Sequence, residues 1–145
     1  GVVLVPYFEG ERTPNLPDAT ATLSGLTLAN TSRANLARAA VEGMLGGLGA
    51  GLDAVRAQGA RVDRVLLIGG AAASPAVQAI AAQLFDAPVQ MPSPGEYVAD
   101  GAARQAAWAL TGVAPAWPVE LIGSPEPDPR PLIAEQYAAA ASRYL

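Results

Sequence analysis

The stretch with the residue types and spacing to do chemistry is Val65-Leu66-Leu67-Ile68-Gly69-Gly70-Ala71-Ala72-Ala73-Ser74-Pro75. It reads as a strand, a glycine turn and the start of a helix. Val65–Ile68 is a continuous apolar run, the pattern of a strand covered on both faces. Gly69 and Gly70 let the chain turn sharply and let another group approach where no Cβ stands in the way. Ser74 falls at an N-cap position with Pro75 at the first helical position, where a missing N–H costs nothing. A turn of this kind, opening into a helix N-terminus, presents free N–H groups and the positive end of a dipole, which suits a nucleotide or another anion.

On spacing alone the turn reads more readily as a tight packing corner than as a nucleotide contact. No Gly-Lys-Ser/Thr follows it, so it is not a Walker loop. Ala71 and Ser74 stand where a dinucleotide fingerprint needs its second and third glycines. The surrounding elements have to decide what the turn is for.

Those elements alternate. Val2–Phe8 reads as a strand ended after Pro6, and Thr20–Leu28 as a short strand or hairpin bending at Gly25. Asn30, Thr31 and Ser32 offer caps for a helix from about Arg33 to Gln58, with Leu36, Ala40, Met44, Leu48, Leu52 and Val55 on one stripe. The glycines of that helix (Gly43, Gly46, Gly47, Gly49, Gly51) point to close helix–sheet contact. After the central strand, Val77, Ile80, Ala81 and Leu84 form the apolar face of a helix over Ala76–Phe85. A strand at Val89–Met91 and a helix through Leu110, closed by Gly112, complete the order. Strands alternating with helices imply an α/β fold with parallel pairing by right-handed crossovers.

The expected organisation is a folded unit over residues 1–112, a Pro-rich extended connector over 113–131 and a helix over 132–145. In that last helix Leu132, Ile133, Tyr137 and Tyr144 lie against the body. Trp108 and Trp117 are expected to serve core and tail packing.

Composition narrows the chemistry. The 145 residues are 51% hydrophobic and 15% charged, with formal net charge -4 and neither Cys nor His. That excludes disulfides, thiolate chemistry, Ser-His-Asp triads and nearly every zinc site. The acidic balance, without a basic patch, makes nucleic acid and anionic membrane poor partners. Val65–Phe85 is about long enough to span a bilayer, but Gly69, Gly70, Pro75, Gln78 and Gln83 interrupt it. The chain begins Gly1-Val2-Val3-Leu4-Val5 with no basic n-region and no initiator Met. That start is expected of a piece of a longer protein, with an open sheet edge left for its missing N-terminal part or for a second copy.

Three motifs, taken together, resemble the C-terminal domain of the FGGY carbohydrate kinases. The first is Pro6-Tyr7-Phe8-Glu9-Gly10-Glu11-Arg12-Thr13-Pro14. The second is Gly25-Leu26-Thr27-Leu28 followed by Ala37-Arg38-Ala39 and Glu42-Gly43. The third is Gly69-Gly70-Ala71-Ala72-Ala73-Ser74-Pro75, with Glu96, Ala99, Gly101, Ala102 and Ala103 downstream. The resemblance covers essentially the whole chain and is closest to the ketopentose-phosphorylating members.

It implies a ribonuclease-H-like, actin-like ATPase fold, present in part: a mixed sheet flanked by helices. It further implies a cytoplasmic enzyme that binds ATP, Mg2+ and a sugar in a cleft between two domains. Gly69, Gly70, Ala71 and Ser74 would face the adenosine end of ATP, and Gly101 would keep that wall close. The catalytic base and most of the sugar site are expected upstream, so the fragment alone would be inactive. Asp100 does not match the base, and no metal ligand is assigned to this chain. Arg12 and Glu11 are expected to form a loop salt bridge, and Glu42 to hold a nearby loop. The alternative is a non-catalytic actin-like module acting as a scaffold or regulatory partner.

Overall fold

The computed structural model describes residues 1–145. The chain opens with β1 (Val3–Val5), which pairs antiparallel with β2 (Thr22–Ser24) in the register Leu4 opposite Leu23. The expected strand over Val2–Phe8 is shorter in the structure. Pro6 has no N–H to continue the ladder, and Phe8 beyond it is 67% exposed.

Helix α1 (Arg33–Ala57) starts at Ser32, whose hydroxyl accepts from the Asn35 N–H at 3.2 Å. It packs on β1, and later on α2 (Pro75–Leu84) and α4 (Pro131–Ala141). The buried face of α1 is not the expected stripe of large residues. Ala39, Gly43, Leu45 and Gly46 are buried, whereas Met44, Leu48 and Val55 are exposed. Close approach decides this. A Cβ on Gly43 would overlap the Leu4 carbonyl of β1, and one on Gly46 would meet the Tyr137 ring of α4 at 2.6 Å. Small residues must therefore face inward.

A second sheet, ordered β3-β4-β5, carries the central stretch. β3 (Val65–Leu66) pairs parallel with β4 (Val89–Pro92), Val65 opposite Val89. β4 pairs antiparallel with β5 (Leu121–Gly123). The Pro-rich stretch expected to be a bare connector thus supplies a strand, and the Ser124 hydroxyl donates to the Val89 carbonyl at 2.6 Å beside it. The apolar run Val65–Ile68, read as covered on both faces, is covered on one: Val65 and Leu67 pack against the core, while Leu66 and Ile68 are exposed.

Two small cores result. Leu45, Val77, Ile80, Ala81, Phe85 and Val89 join α1, α2 and β4. Val5, Tyr7, Tyr137 and Ala140 join β1 to α4, with the Tyr7 and Tyr144 rings 5.1 Å apart. The expected stripe on α2 is present, with Val77, Ile80 and Ala81 buried. Helix α3 (Tyr97–Thr111) ends at Gly112 in the left-handed conformation and buries none of its residues. Trp108, Trp117 and Leu132, expected to pack, are each about half exposed or more. No helix is long and apolar enough to cross a membrane.

A surface polar relay links α1, α2 and the segment leading into α4. Arg38 pairs with Glu42 one turn on, at 2.6 Å, and donates to the Gln83 amide oxygen at 2.7 Å. Gln83 in turn donates to Asp128 at 2.9 Å, and Asp128 pairs with Arg130. Glu42 therefore holds its own helix rather than a loop. Glu11 accepts from the backbone N–H groups of Arg12 and Thr13, at 2.7 and 3.0 Å, in place of the expected salt bridge.

Candidate functional site

Leu67 and Ile68 leave the sheet at the carboxyl end of β3 and run into the glycine turn. Gly69 adopts φ +87° and ψ 175°, a conformation closed to L side chains without strain. Gly70–Ala73 then form a single 3₁₀ turn, closed by bonds from Ala72 N–H to the Gly69 carbonyl and from Ser74 N–H to the Ala71 carbonyl, both 3.1 Å. Ser74 is the N-cap residue of α2 by position, with Pro75 first in the helix. Its hydroxyl makes no capping bond.

The segment after β4 lies opposite. Ser93-Pro94-Gly95-Glu96 leads from the carboxyl end of that strand into α3, and the Tyr97 hydroxyl donates back to the Ser93 carbonyl. Between the two turns is a cavity of about 500 Å³. It sits outside the carboxyl ends of two parallel strands, the place where open α/β sheets take their ligands. Its volume is in the range of small-molecule sites.

Of the five residues singled out in the sequence, Gly69 and Gly70 line this cavity, while Ala71, Ser74 and Gly101 do not. A Cβ added to Gly70 or to Gly101 would meet nothing within 4 Å. Gly70 is both open at its Cβ position and part of the cavity lining. At Gly101, on the unburied α3, the open space is exposed surface. The walls that sequence reasoning missed are Gln78 of α2, Met91 and Pro92 of β4, Tyr97 of α3 and Ile122 of β5. The Glu96–Tyr97 segment had a signal, since it opens the third motif's downstream helix. Ile122 had none, because β5 joins the sheet only through tertiary pairing.

No cation lines the cavity, and Glu96 is its one formally charged residue. With apolar walls and backbone turns, the site suits an aromatic heterocycle and its sugar rather than a polyphosphate. No group of three or more acidic, His or Cys side chains converges in the chain.

Comparison with known proteins decides the family. Residues 1–110 match the C-terminal domain of the FGGY family of carbohydrate kinases. The chain is a member of that family. It is 44% identical over 117 residues to the xylulose kinase of Streptomyces rubiginosus, covering 80% of this chain and 24% of the relative. It is 38% identical over 112 residues to the glycerol kinase of Alkalilimnicola ehrlichii, covering 76% of this chain and 22% of that one. Among solved structures, the xylulose kinase of Bifidobacterium adolescentis superposes with a TM-score of 0.83 at 51% identity, over 97% of this chain and 28% of that protein. The chain thus spans about a quarter of the length of the FGGY kinases it matches. Its fold is the ribonuclease-H-like, actin-like type of these kinases, held in part, with a mixed sheet flanked by helices.

Proposed function

We propose that this chain is the nucleotide-facing part of an ATP-dependent sugar kinase whose acceptor is a ketopentose such as xylulose. The observation that carries the proposal is the cavity at the carboxyl ends of β3 and β4, floored by Gly69 and Gly70 and free of cations. A nucleoside is held there by apolar surface and by backbone that comes close because Gly70 has no side chain. Ala71 and Ser74 shape the turn behind it. Gly101, whose surroundings are open, leaves room on α3 for the other half of the cleft.

Phosphoryl transfer needs a base for the sugar hydroxyl, a cradle for the phosphates and a divalent ion, usually Mg2+. This chain contributes to none of these directly. Its part is to bind and orient the nucleoside end, so that the phosphates lie in the cleft shared with the N-terminal part of the enzyme. Residues 1–145 alone are accordingly expected not to turn over, and the enzyme is expected in the cytoplasm. Similarity to xylulose kinases at 44–51% identity supports the ketopentose, and similarity to a glycerol kinase keeps a smaller polyol in the test.

The test is a coupled ATP-consumption assay of the complete protein against xylulose, ribulose, gluconate and glycerol. Turnover is expected to be fastest with xylulose. A preference for glycerol would overturn the ketopentose assignment, and no phosphorylation of any member would overturn the kinase reading in favour of a non-catalytic module.

A further inference from the structure

Gln78 sits in the second turn of α2, half-buried in the cavity wall. The orientation of its amide is set by its neighbour. The Ala72 carbonyl, which can only accept, lies 2.8 Å from Nε2, so the nitrogen end faces the turn. Oε1 is then the free end. It makes no hydrogen bond within the chain and is not sealed away, since the Tyr137 hydroxyl is the one unpartnered side-chain polar atom that is. The cavity wall therefore carries one side-chain amide acceptor, locked in place by its own donor. The same cavity is lined by the apolar surfaces of Leu67, Met91, Pro92 and Ile122, with Ser93, Glu96 and Tyr97 at the turn into α3.

A fixed amide acceptor in a mainly apolar wall is a reader of one hydrogen-bond donor. We propose that Gln78 reads the nucleotide base, its Oε1 accepting from the exocyclic amine of a 6-aminopurine. A 6-oxopurine would set an acceptor against this acceptor and leave both unpaired. The inference deepens the nucleotide reading of the cavity and rests on it. Sites that hydrogen-bond a ligand donor reject the analogue lacking it far more strongly than apolar contact can. The Ala72 bond matters because it spares the side chain the loss of freedom on binding.

The experiment compares ATP with ITP, which differs at position 6, as phosphoryl donor to the complete kinase. Wild type is expected to prefer ATP by about tenfold or more in kcat/KM. Gln78→Met, close in volume and without an acceptor, is expected to bring that ratio near one, mostly through a higher KM for ATP. Gln78→Glu keeps an acceptor while losing the donor to Ala72, so it is expected to weaken both nucleotides and retain the preference.

A wild-type enzyme indifferent to the base would overturn the proposal. So would a Gln78→Met enzyme whose ratio is unchanged, or one in which both nucleotides weaken equally, because a residue that only braces the turn predicts that result. Gly70→Val separates this failure from failure of the cavity itself. If it raises KM for both nucleotides while Gln78→Met leaves the ratio alone, only the Gln78 assignment falls. If it raises neither, the nucleotide reading of the cavity falls with it. Should Gln78→Met not fold, the Gln78→Glu ratio decides: loss of the ATP preference there, with the acceptor retained, overturns the proposal, and its retention supports it.

Discussion

Replacing Gly46 with alanine tests the packing that sets α1 in place. A Cβ at Gly46 would stand 2.6 Å from both Cδ2 and Cγ of Tyr137, a ring that is 4% exposed and cannot swing into solvent. Either α4 shifts or the ring leaves its place in the core shared with Val5 and Tyr7. Overpacking of this kind costs about 1–3 kcal/mol, while alanine's better helix propensity returns up to about 1 kcal/mol. The net expectation is a loss of about 1–2 kcal/mol, read as a melting temperature lower by a few degrees. Gly51→Ala is the control. It lies in the same helix, and a Cβ there meets nothing within 4 Å, so only the propensity gain of up to about 1 kcal/mol applies. Opposite signs for the two variants in thermal melts are expected. A stabilised Gly46→Ala would refute the claim that the glycines of α1 face inward for close approach.

The Tyr137 hydroxyl is buried without a partner, so Tyr137→Phe should be neutral or stabilise the protein by about 1 kcal/mol. Burial pushes the Tyr137 phenol well above its usual value, with Tyr7 and Glu11 nearby adding to the shift. A raised folded-state value means the unfolded chain gives up this proton first. Stability is then fully present below about pH 10 and is lost as pH rises beyond it. Melts of wild type against Tyr137→Phe across pH 8 to 11 should show the alkaline loss reduced in the variant; identical slopes would remove Tyr137 from the explanation. Ser32→Ala, which deletes an observed cap bond, should cost about 1 kcal/mol, whereas Ser74→Ala should cost clearly less because no such bond exists there. Equal losses in thermal melts would contradict that difference.

The sequence was most readable where a local rule acts alone. Helix α1 is capped by Ser32, one of the three candidates, α2 starts at the expected Pro75, and α3 ends at the glycine that must take a left-handed conformation. The glycines of α1 were read as marking close helix–sheet contact, which Gly43 makes against Leu4, but periodicity placed Met44 and Leu48 on the buried face. The approach of Tyr137 to Gly46 comes from a helix far along the chain, so no local window of sequence contains it. β5 was missed for a related reason: its pairing with Met91 and Pro92 is long-range, inside a stretch whose prolines argue for a connector. The Val65–Ile68 run was read as buried on both faces, but only the Val65 and Leu67 face meets the core, and nothing in these residues covers Leu66 and Ile68.

At the site, the glycine turn was visible and its opposite wall largely was not. Gly69 and Gly70 announce a special backbone, although the two differ. The positive φ belongs to Gly69, while Gly70 is special only in the space beside it. Gln78 looked like one polar residue on an apolar helix, and its meaning depends on a bond to Ala72 six residues back.

That difference between the two glycines supplies the most direct test of a nucleotide at this turn. Gly70 carries no positive φ, and a Cβ there meets open space, so Gly70→Val should fold and melt close to wild type. In steady-state kinetics of the complete enzyme, with ATP and sugar varied separately, it should raise the KM for ATP by about tenfold or more. The sugar constant and kcat should change little, because this wall holds ground and transition states alike. A normally folded Gly70→Val enzyme with an unchanged KM for ATP would mean that the turn is a packing corner and that the nucleotide lies elsewhere.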